Sequence, residues 1–539
     1  MKKVFYKGLD MLKPNVHFPS KMPRTAAIPI IRDPKNGYLN CGVYSAGVAN
    51  ARPYHILFGP KSPSTIEIFN QIDEFTVALP SREQIDPMWV ITLQVPPGID
   101  EIKLAGWHTL PPRSNHTPGI EECPINLECK KLVSVALPPP WRSIVIGEVT
   151  GVHIDHNLVE SGRADVAHQV PMHEFGVDPD TGLYSLSSLS NEIQPPAQHG
   201  RDWQGTRSGG NKIYVGGADL YKPENERVLM NSIFPRQTYI LMTTDERNCA
   251  FAETISGGSL QSTEPAVQIT IQKDSLSYRN IKRSGVFVIS VPDRSMAKNY
   301  EALEKSAPDF EAAGFSLLPP NVVDVPGLAE CLVSMDCKVV VFTDVPGTDY
   351  ALVVARRVGV SLDEETANHL DPERYSMHDR MAFLNSFYSS FLYSVFDNGM
   401  ERKWGHQDSD NLVSVRPLPS WGSRYTGAWW GTNSSSLNYW LIELCQEGLL
   451  SKEEYYKVTG LVGLWNNGNL VPHLAEYFDD ALKNSIREQL TEVLHQMAWA
   501  HRDLAKWDQF HEYMRTIEQT PRSYFSGPTY HEKWYDNTI

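Results

Sequence analysis

Two stretches of the sequence decide the fold: AGWHTLPPRSNHTPGIEECPINLECK at residues 105–130 and AGFSLLPPNVVDVPGLAECLVSMDCK at residues 313–338. They align without a gap at an offset of 208 residues, from 105 to 313. Paired prolines, a Pro-Gly, a Glu-Cys and a Cys-Lys dipeptide occur in the same order in both. Such an ordered series indicates an internal duplication, which changes the interpretation of the whole chain.

The duplication extends upstream. MPRTAAIPIIRDP at residues 22–34 aligns with FPRQTYILMTTDE at 234–246, at an offset of 212 residues, from 22 to 234. Each copy spans about 130–140 residues, close to the usual size of a domain. Short apolar runs such as EFTVALP and VFVISVP end at proline, which indicates strands separated by turns. Repeated short strands predict a small barrel, because closure removes exposed sheet edges.

The charge balance excludes some functions. The 539 residues include 49 Lys+Arg and 64 Asp+Glu, a net charge of -15, whereas broad nucleic-acid binding needs a basic surplus. A local basic pocket for one small anion remains open. The N-terminus has no apolar signal-peptide core, and the apolar run at residues 383–396 is interrupted by Asn and Ser. We therefore expect a cytoplasmic protein without a membrane span.

Several segments of the first copy follow a familiar order. Residues 40–45 read NCGVYS and residues 50–53 read NARP, and Lys61 and Thr65 follow. Further on, EFTV begins at Glu74, PGIEEC at Pro118 and IGEV at Ile146. In this order the segments resemble the flavin reductase-like, FMN-binding split-barrel family, with its N-x-A-x-x-S…S-x-x-P loop and its basic residue and hydroxyl before a helix.

The second copy is similar to the same family over Thr254, Ser262–Pro265, Lys273 and Ser277. Its Ala252 aligns with Asn40 of the first copy. The first copy in turn has Ile68 where the second has Asn280, and the family's histidine before the late strand is absent from both. A degenerate flavin site in one copy is therefore an open alternative.

The resemblance implies a mainly β plus α fold, with two tandem FMN-binding split β-barrels followed by an α-helical C-terminal domain. We expect the first barrel at residues 1–155, a Gly/Ser/Pro/His-rich connector at 156–215, the second barrel at 216–366 and the helical domain at 367–539. In the helical domain, apolar residues recur on one face from Leu482 to Met497. The segment Ser451–Glu454 has a capping-box pattern.

FMN requires an anion site for its phosphate, which has a charge of about −1.5 to −2. Lys61 with Thr65, and Lys273 with Ser277, are spaced so that an ammonium and a hydroxyl can hold one anion at a helix N-terminus. Taken singly, such residues are common surface and capping features, but their recurrence favours phosphate. The predicted cofactor-binding residues are Asn40, Ser45, Asn50, Lys61, Thr65, Thr254, Ser256, Ser259, Ser262, Lys273 and Ser277.

Other groups favour structural interpretations. Cys123 and Cys129, like Cys331 and Cys337, lack metal-ligand spacing and are expected to pack as small apolar residues. Histidines between residues 153 and 199 match no metal motif and suit a polar loop. No metal site is therefore predicted.

The segment Trp421–Gly431 combines aromatics, glycines and one arginine. As a lid, it would bind a small aromatic substrate through Arg424, Trp429 and Trp430. The favoured alternative is that its tryptophans pack the helical domain against the barrels.

Three functions remain open at this point. The preferred one is an FMN-dependent oxidoreductase with hydride transfer between NAD(P)H and flavin, and it needs no acid–base pair because the cofactor does the chemistry. The second is a flavin enzyme that reduces or oxygenates a small aromatic substrate. The third is a non-catalytic flavin- or partner-binding barrel pair. The resemblance implies FMN at an interface between barrels, here between the two copies, and a further homodimer is an open alternative.

Overall fold

The computed structural model describes residues 2–7, 25–80 except 51, 61 and 62, 98–137, 143–156, 212–222, 238–256, 266–292, 309–331, 333–364 and 477–500. Shorter described pieces lie within 84–96, 177–183, 206–209, 225, 259–261, 296–303 and 451–464. Within these residues, each copy of the repeat forms one large antiparallel sheet.

The elements of the first copy begin with a strand that precedes it. They are β1 (Lys3–Lys7), β2 (Thr25–Arg32), β3 (Leu39–Cys41), β4 (Tyr44–Asn50), β5 (His55–Phe58), α1 (Pro63–Gln71), β6 (Glu74–Leu79), α2 (Glu101–Leu104), β7 (Thr109–Leu110), β8 (Gly119–Ile120), β9 (Ile125–Ala136) and β10 (Ser143–Asp155). Next come β11 (Val177–Asp178), β12 (Gly182–Leu183), β13 (Thr206–Gly209) and β14 (Lys212–Gly216).

The second copy repeats this order. Its elements are β15 (Thr238–Thr244), β16 (Ala250–Ser256), β17 (Ser259–Gln261), β18 (Ala266–Gln272), α3 (Leu276–Ser284), β19 (Val286–Val291), β20 (Leu317–Leu318), β21 (Gly327–Leu328), β22 (Val333–Asp344) and β23 (Tyr350–Asp363). A further helix, α4 (Asp480–Ala500), lies in the C-terminal region.

The first sheet closes on itself. Its strand order is β13-β14-β10-β5-β4-β2-β6-β9, and β9 pairs again with β10. Strand β10 is long enough to serve two neighbours on its other side: residues 145–148 pair with β5, and residues 151–155 pair with β14. This division of one long strand between two partners confirms the predicted split barrel, and closure removes the sheet edge.

The second sheet has the equivalent arrangement. Its order is β16-β15-β19-β22-β23-β18-β17. Strand β23 is divided like β10, because residues 350–356 pair with β18 and residues 359–363 pair with β1. The structure therefore supports the interpretation of the chain as a tandem repeat.

Each barrel has its own apolar core. In the first, the rings of Phe58, Phe69 and Phe75 meet with centroids 5.5–5.6 Å apart at steep angles, the arrangement that aromatic pairs favour. Cys129 and its counterpart Cys337 are buried at equivalent positions, as are Cys123 and Cys331. The cysteines are thus core residues, as predicted.

The two barrels exchange strands. Strand β1 precedes the first barrel in sequence but pairs with β23 of the second. Strand β14 precedes the second barrel but pairs with β10 of the first. The predicted first barrel, residues 1–155, ends where β10 ends, but its residues 3–7 pair with the second barrel. The predicted connector supplies β13 and most of β14 to the first sheet. The Gly/Ser-rich composition of the connector predicted a loop, although the short run KIYV at Lys212 has the alternating pattern of a strand.

The barrels also share a third apolar cluster. It joins residues of the first barrel to residues of the second and excludes water from the seam between them. Its fully buried members are Ala49, Leu57, Leu137, Ile144, Ile146, Val345, Tyr350, Leu352 and Val354.

The C-terminal helical domain is supported only in part. Helix α4 buries Ile486 and Leu490, as its periodicity predicted. The capping box also forms: Glu454 N–H donates to Ser451 Oγ at 3.2 Å, and Ser451 N–H donates to Glu454 Oε2 at 2.8 Å. Most of residues 367–539 lies outside the described residues. Among the described helices, none has the length and apolarity of a membrane span.

Candidate functional site

The first barrel places two predicted residues together at the start of helix α1. Thr65 lies in the first turn and is 3% exposed. Its hydroxyl donates to Asn40 Oδ1 of strand β3 at 2.9 Å. The predicted Asn40 and Thr65 therefore form one neutral polar group beside a helix N-terminus, where backbone N–H groups favour an anion. Lys61 lies outside the described residues, and Ser45 is described only as a backbone position in β4.

A buried carboxyl binds the backbone next to Asn40. Glu101, the first residue of α2, accepts a hydrogen bond from the backbone N–H of Cys41 at 2.5 Å. Burial raises the pKa of Glu101 to about 8, although the bond from Cys41 opposes the shift. At neutral pH this carboxyl is thus mostly protonated and adds little negative charge next to Asn40. Glu101 matches no motif, and nothing in the sequence around it indicates that it is buried.

The equivalent place in the second barrel has different chemistry. Ser277, in the first turn of α3, is buried beside the carboxylate of Glu253, and its backbone N–H and its hydroxyl lower the pKa of that carboxylate. The pKa of Glu253 is raised overall, chiefly by burial and also by the nearby charge of Asp274, while Ser277 opposes the shift. The second hydroxyl thus has an acidic partner where the first has an amide.

The predicted basic residue of the second barrel has its own partner. Lys273 Nζ donates to the carbonyl of Thr348 at 2.7 Å, in the turn between β22 and β23. The structure therefore brings Lys273 and Ser277 to two different partners and not to a common one. Thr254 is half-buried in β16. Ser256 and Ser259 are described only as strand positions, and Ser262, Arg424, Trp429 and Trp430 lie outside the described residues.

The predicted loop of the first barrel ends at the seam between the barrels. Asn50 Nδ2 donates to the carbonyl of Pro53 at 3.0 Å, and Gln272 Nε2 of the second barrel approaches Asn50 Oδ1 to 3.5 Å. Beside them, Thr270 Oγ1 donates to the carbonyl of Ala49 at 2.7 Å. Polar groups of the two copies therefore face each other here, in agreement with the expectation that copy one faces copy two.

A histidine and a tyrosine meet deeper in the seam. His55 Nδ1 lies 2.9 Å from Tyr350 Oη, and both side chains are buried. Nε2 of His55 is also buried and has no hydrogen-bond partner among the described residues. Burial lowers the pKa of His55 to about 4 and raises that of Tyr350. The neutral imidazole is therefore the form that fits this apolar interface.

The titration of His55 gives a prediction for acid stability. Its folded-state pKa lies below the usual value of 6.5, so the unfolded chain binds more protons and stability falls as pH drops from about 6.5 towards 4. We expect His55→Gln to remove about 2 kcal/mol of this loss between pH 7 and pH 4.5, because glutamine does not titrate. Urea unfolding at the two pH values measures it. His116→Gln, at a histidine with a 92% exposed side chain, is the matched control, and equal pH slopes in all three chains would contradict the assignment.

A second buried histidine lies inside the first barrel. His153 Nε2 is 2.7 Å from Glu128 Oε1, and Ser114 Oγ donates to Glu128 Oε2 at 2.5 Å. Burial alone would raise the pKa of Glu128, but these hydrogen bonds lower it overall. His153 is therefore a core residue of β10 and not part of a polar loop. In the second barrel, Asp336 accepts the backbone N–H of Val322 at 2.7 Å, so the acid in each copy anchors the same loop.

Comparison with known proteins agrees with this fold. The sequence profile of the family described as "Flavin reductase like domain" matches residues 23–169 and 230–380. An uncharacterized protein of Halalkalibacterium halodurans is 29% identical over 133 residues, which are 22% of this chain and 62% of that protein. An uncharacterized protein of Methanothermobacter thermautotrophicus is 29% identical over 30% of this chain and 78% of that protein. The chain thus spans less than two thirds of the first of these relatives.

Among solved structures, the chain is similar to flavoredoxin of Desulfovibrio vulgaris (Miyazaki F), with 19% identity, 25% of this chain and 73% of that chain covered, and a TM-score of 0.23. It is also similar to nitrilotriacetate monooxygenase component B from Bacillus cereus, with 20% identity, 28% and 81% coverage, and a TM-score of 0.26. The profile matches include more than half of the chain, one in each copy. The chain therefore belongs to the flavin reductase like domain family.

Proposed function

We propose that this chain is an FMN-dependent oxidoreductase that binds FMN through its first barrel, with the phosphate at the N-terminus of α1. The observation that supports this choice is the partner of each buried hydroxyl. Thr65 donates to a neutral amide oxygen, whereas Ser277 lies beside the carboxylate of Glu253. A phosphate with about two negative charges is favoured beside the first and repelled beside the second.

The donor set of the first barrel suits a phosphate. The Thr65 hydroxyl holds the Asn40 amide through its oxygen, so the two amide N–H groups of Asn40 are the side-chain donors for an anion. The first turn of α1 adds backbone N–H groups that have no partner within the helix. Glu101 stays protonated below a pH of about 8 and so does not oppose the anion. Lys61, four residues before Thr65, is the proposed counter-charge. In the second barrel, Glu253 and Asp274 add negative charge at the equivalent place.

The seam between the barrels is the proposed place for the flavin ring. Asn50 and Gln272 offer amide groups from opposite barrels, and the apolar cluster behind them excludes water. When bound, FMN supplies a two-electron centre that accepts hydride, for which we propose NAD(P)H as the donor. The chain's own residues then need only to bind, orient and shield this centre.

Matched hydroxyl variants test the proposal. We expect the purified chain to hold one FMN per chain and Ser277→Ala to leave FMN binding unchanged. Thr65→Val should weaken it about tenfold or more, because Thr65 orients the Asn40 amide and a hydrogen bond to a charged group contributes roughly 1.5–3 kcal/mol. Flavin absorbance after gel filtration and a fluorescence titration measure both variants. Loss of FMN in Ser277→Ala with retention in Thr65→Val would place the cofactor in the other barrel.

The same preparations test the reaction. NADH and NADPH oxidation should depend on bound FMN, fall with Thr65→Val and require no aromatic compound. Oxidation that occurs only when an aromatic compound is added would instead support the second function named above. A chain that holds FMN but oxidises neither nicotinamide would support a flavin-binding module.

A further inference from the structure

The exchanged strands occupy equivalent edges in the same register. In the first barrel, Lys212 faces Asp155 and Gly216 faces Gly151. In the second, Lys3 faces Asp363 and Lys7 faces Gly359. Both strands are five residues long and antiparallel to the end of a divided strand. The two edges therefore bind their strands by one geometry, although the bound sequences, KVFYK and KIYVG, share little beyond their pattern.

A lysine begins each exchanged strand and is held in the same way. Lys212 Nζ donates to the carbonyl of Cys123 at 2.8 Å and forms an ion pair with Asp155 at 2.5 Å. Lys3 Nζ donates to the carbonyl of Cys331, the counterpart of Cys123 in the second copy. An ammonium bonded to a buried carbonyl is a strong and directional contact. Each edge thus has a specific place for a lysine.

An aromatic ring follows two residues later and lies over a glycine. A Cβ atom built on Gly151 would lie 2.5 Å from Tyr214 Oη, and one built on Gly359 would lie 2.8 Å from Phe5 Cε2. Any larger residue at these positions would displace the ring. Because glycine has no side chain, each position leaves a space that the aromatic ring fills. The edge of each barrel therefore selects a strand of the form Lys-X-aromatic.

We propose that the edge of β23 is a strand-acceptor site, and that the N-terminal strand of a second copy of this chain can occupy it to give a strand-exchanged dimer. Strand β1 is joined by the chain to the first barrel but pairs with the second, so its contact with β23 is one between units. Backbone pairing supplies affinity, while the lysine and aromatic positions supply specificity, as in other cases of strand addition. Because both copies present the same strand and edge, the exchange is self-complementary.

Disulfide trapping in the full chain tests the proposal. Tyr6 faces Val360 in the register, so Tyr6→Cys combined with Val360→Cys reports the occupant of the edge. The exposed Cys249 is changed to serine in all chains. Oxidation of a dilute sample should give an internal disulfide, and refolding at high concentration should give a covalent dimer linked between positions 6 and 360. The matched control Lys2→Cys with Val360→Cys, which is out of register, should give neither.

A peptide experiment tests recognition separately. A chain that lacks residues 1–7 should bind labelled MKKVFYK, while the intact chain should bind it at least tenfold more weakly because its edge is filled. Peptides with Lys3→Met or Phe5→Ala should lose about tenfold in affinity. Absence of binding by a truncated chain with native circular dichroism would overturn the proposal. If truncation prevents folding, the trapping result decides: only internal disulfides at every concentration would exclude the second copy.

Discussion

Glu101→Gln is expected to stabilise the chain at about pH 9 by on the order of 4 kcal/mol relative to wild type, and to change little at about pH 5. The folded chain holds the Glu101 proton up to a pH of about 8, against a usual value of 4.5. Between these values the folded state binds more protons than the unfolded one, so wild-type stability falls as pH rises. Glutamine keeps the acceptor for the Cys41 N–H at this position and removes the titration.

Denaturant unfolding at several pH values measures this effect. The matched control is Glu121→Gln, because Glu121 is exposed, and its pH profile should follow wild type. Parallel profiles for Glu101→Gln and wild type would mean that Glu101 is ionised in the folded chain. The same variant also tests the pH dependence of FMN binding. Above a pH of about 8, a negative charge appears near Asn40 in the wild type but not in Glu101→Gln.

Lys212→Met is expected to destabilise the chain by about 3–5 kcal/mol, the usual loss when one partner of a buried ion pair is removed. The side chain of Lys212 is 3% exposed, and its ammonium contacts both Asp155 and the carbonyl of Cys123. Burial already raises the pKa of Asp155, which Lys212 partly offsets. Without the lysine, this half-buried carboxylate has lost its counter-charge, and β14 has lost its anchor on the first barrel.

Thermal and urea unfolding give the stability of this variant. Lys35→Met is the matched control, because its ion pair with Glu67 is largely exposed, at 62% for each side chain, and should contribute little. A loss in Lys212→Met no larger than in Lys35→Met would show that β14 is held by its backbone pairing alone. Hydrogen exchange would then remain slow at residues 151–155, which pair with β14.

The barrels could be predicted from the sequence because a duplication presents the same local pattern twice. The offset of 208 residues between the two Pro-Gly segments is repeated in the paired strands β9–β10 and β22–β23. The strand exchange could not be predicted, since no local pattern says which barrel a strand joins. One signal was present: KVFYK at Lys3 and KIYVG at Lys212 both have a lysine followed two residues later by an aromatic residue.

The candidate site was predictable only where its residues follow a motif. Asn40 and Thr65 were both chosen from the sequence, and the fold joins them by one hydrogen bond. Glu101 and Glu253 could not be identified from the sequence, because the burial that raises their pKa values depends on residues distant in the chain. The spacing of Lys273 and Ser277 is suitable for a shared anion. In the structure, however, Lys273 donates to the carbonyl of Thr348, and Ser277 lies beside Glu253.

The exchanged strands β1 and β14 couple the two halves of the chain, so that neither half can separate while both sheets are folded. A protease that cuts between residues 157 and 176 would leave β1 on one fragment and β14 on the other, each inserted in the sheet of the opposite fragment. The two fragments would stay associated until one of the two sheets unfolds. Duplication into one chain therefore leaves each half free to change its chemistry while neither can dissociate.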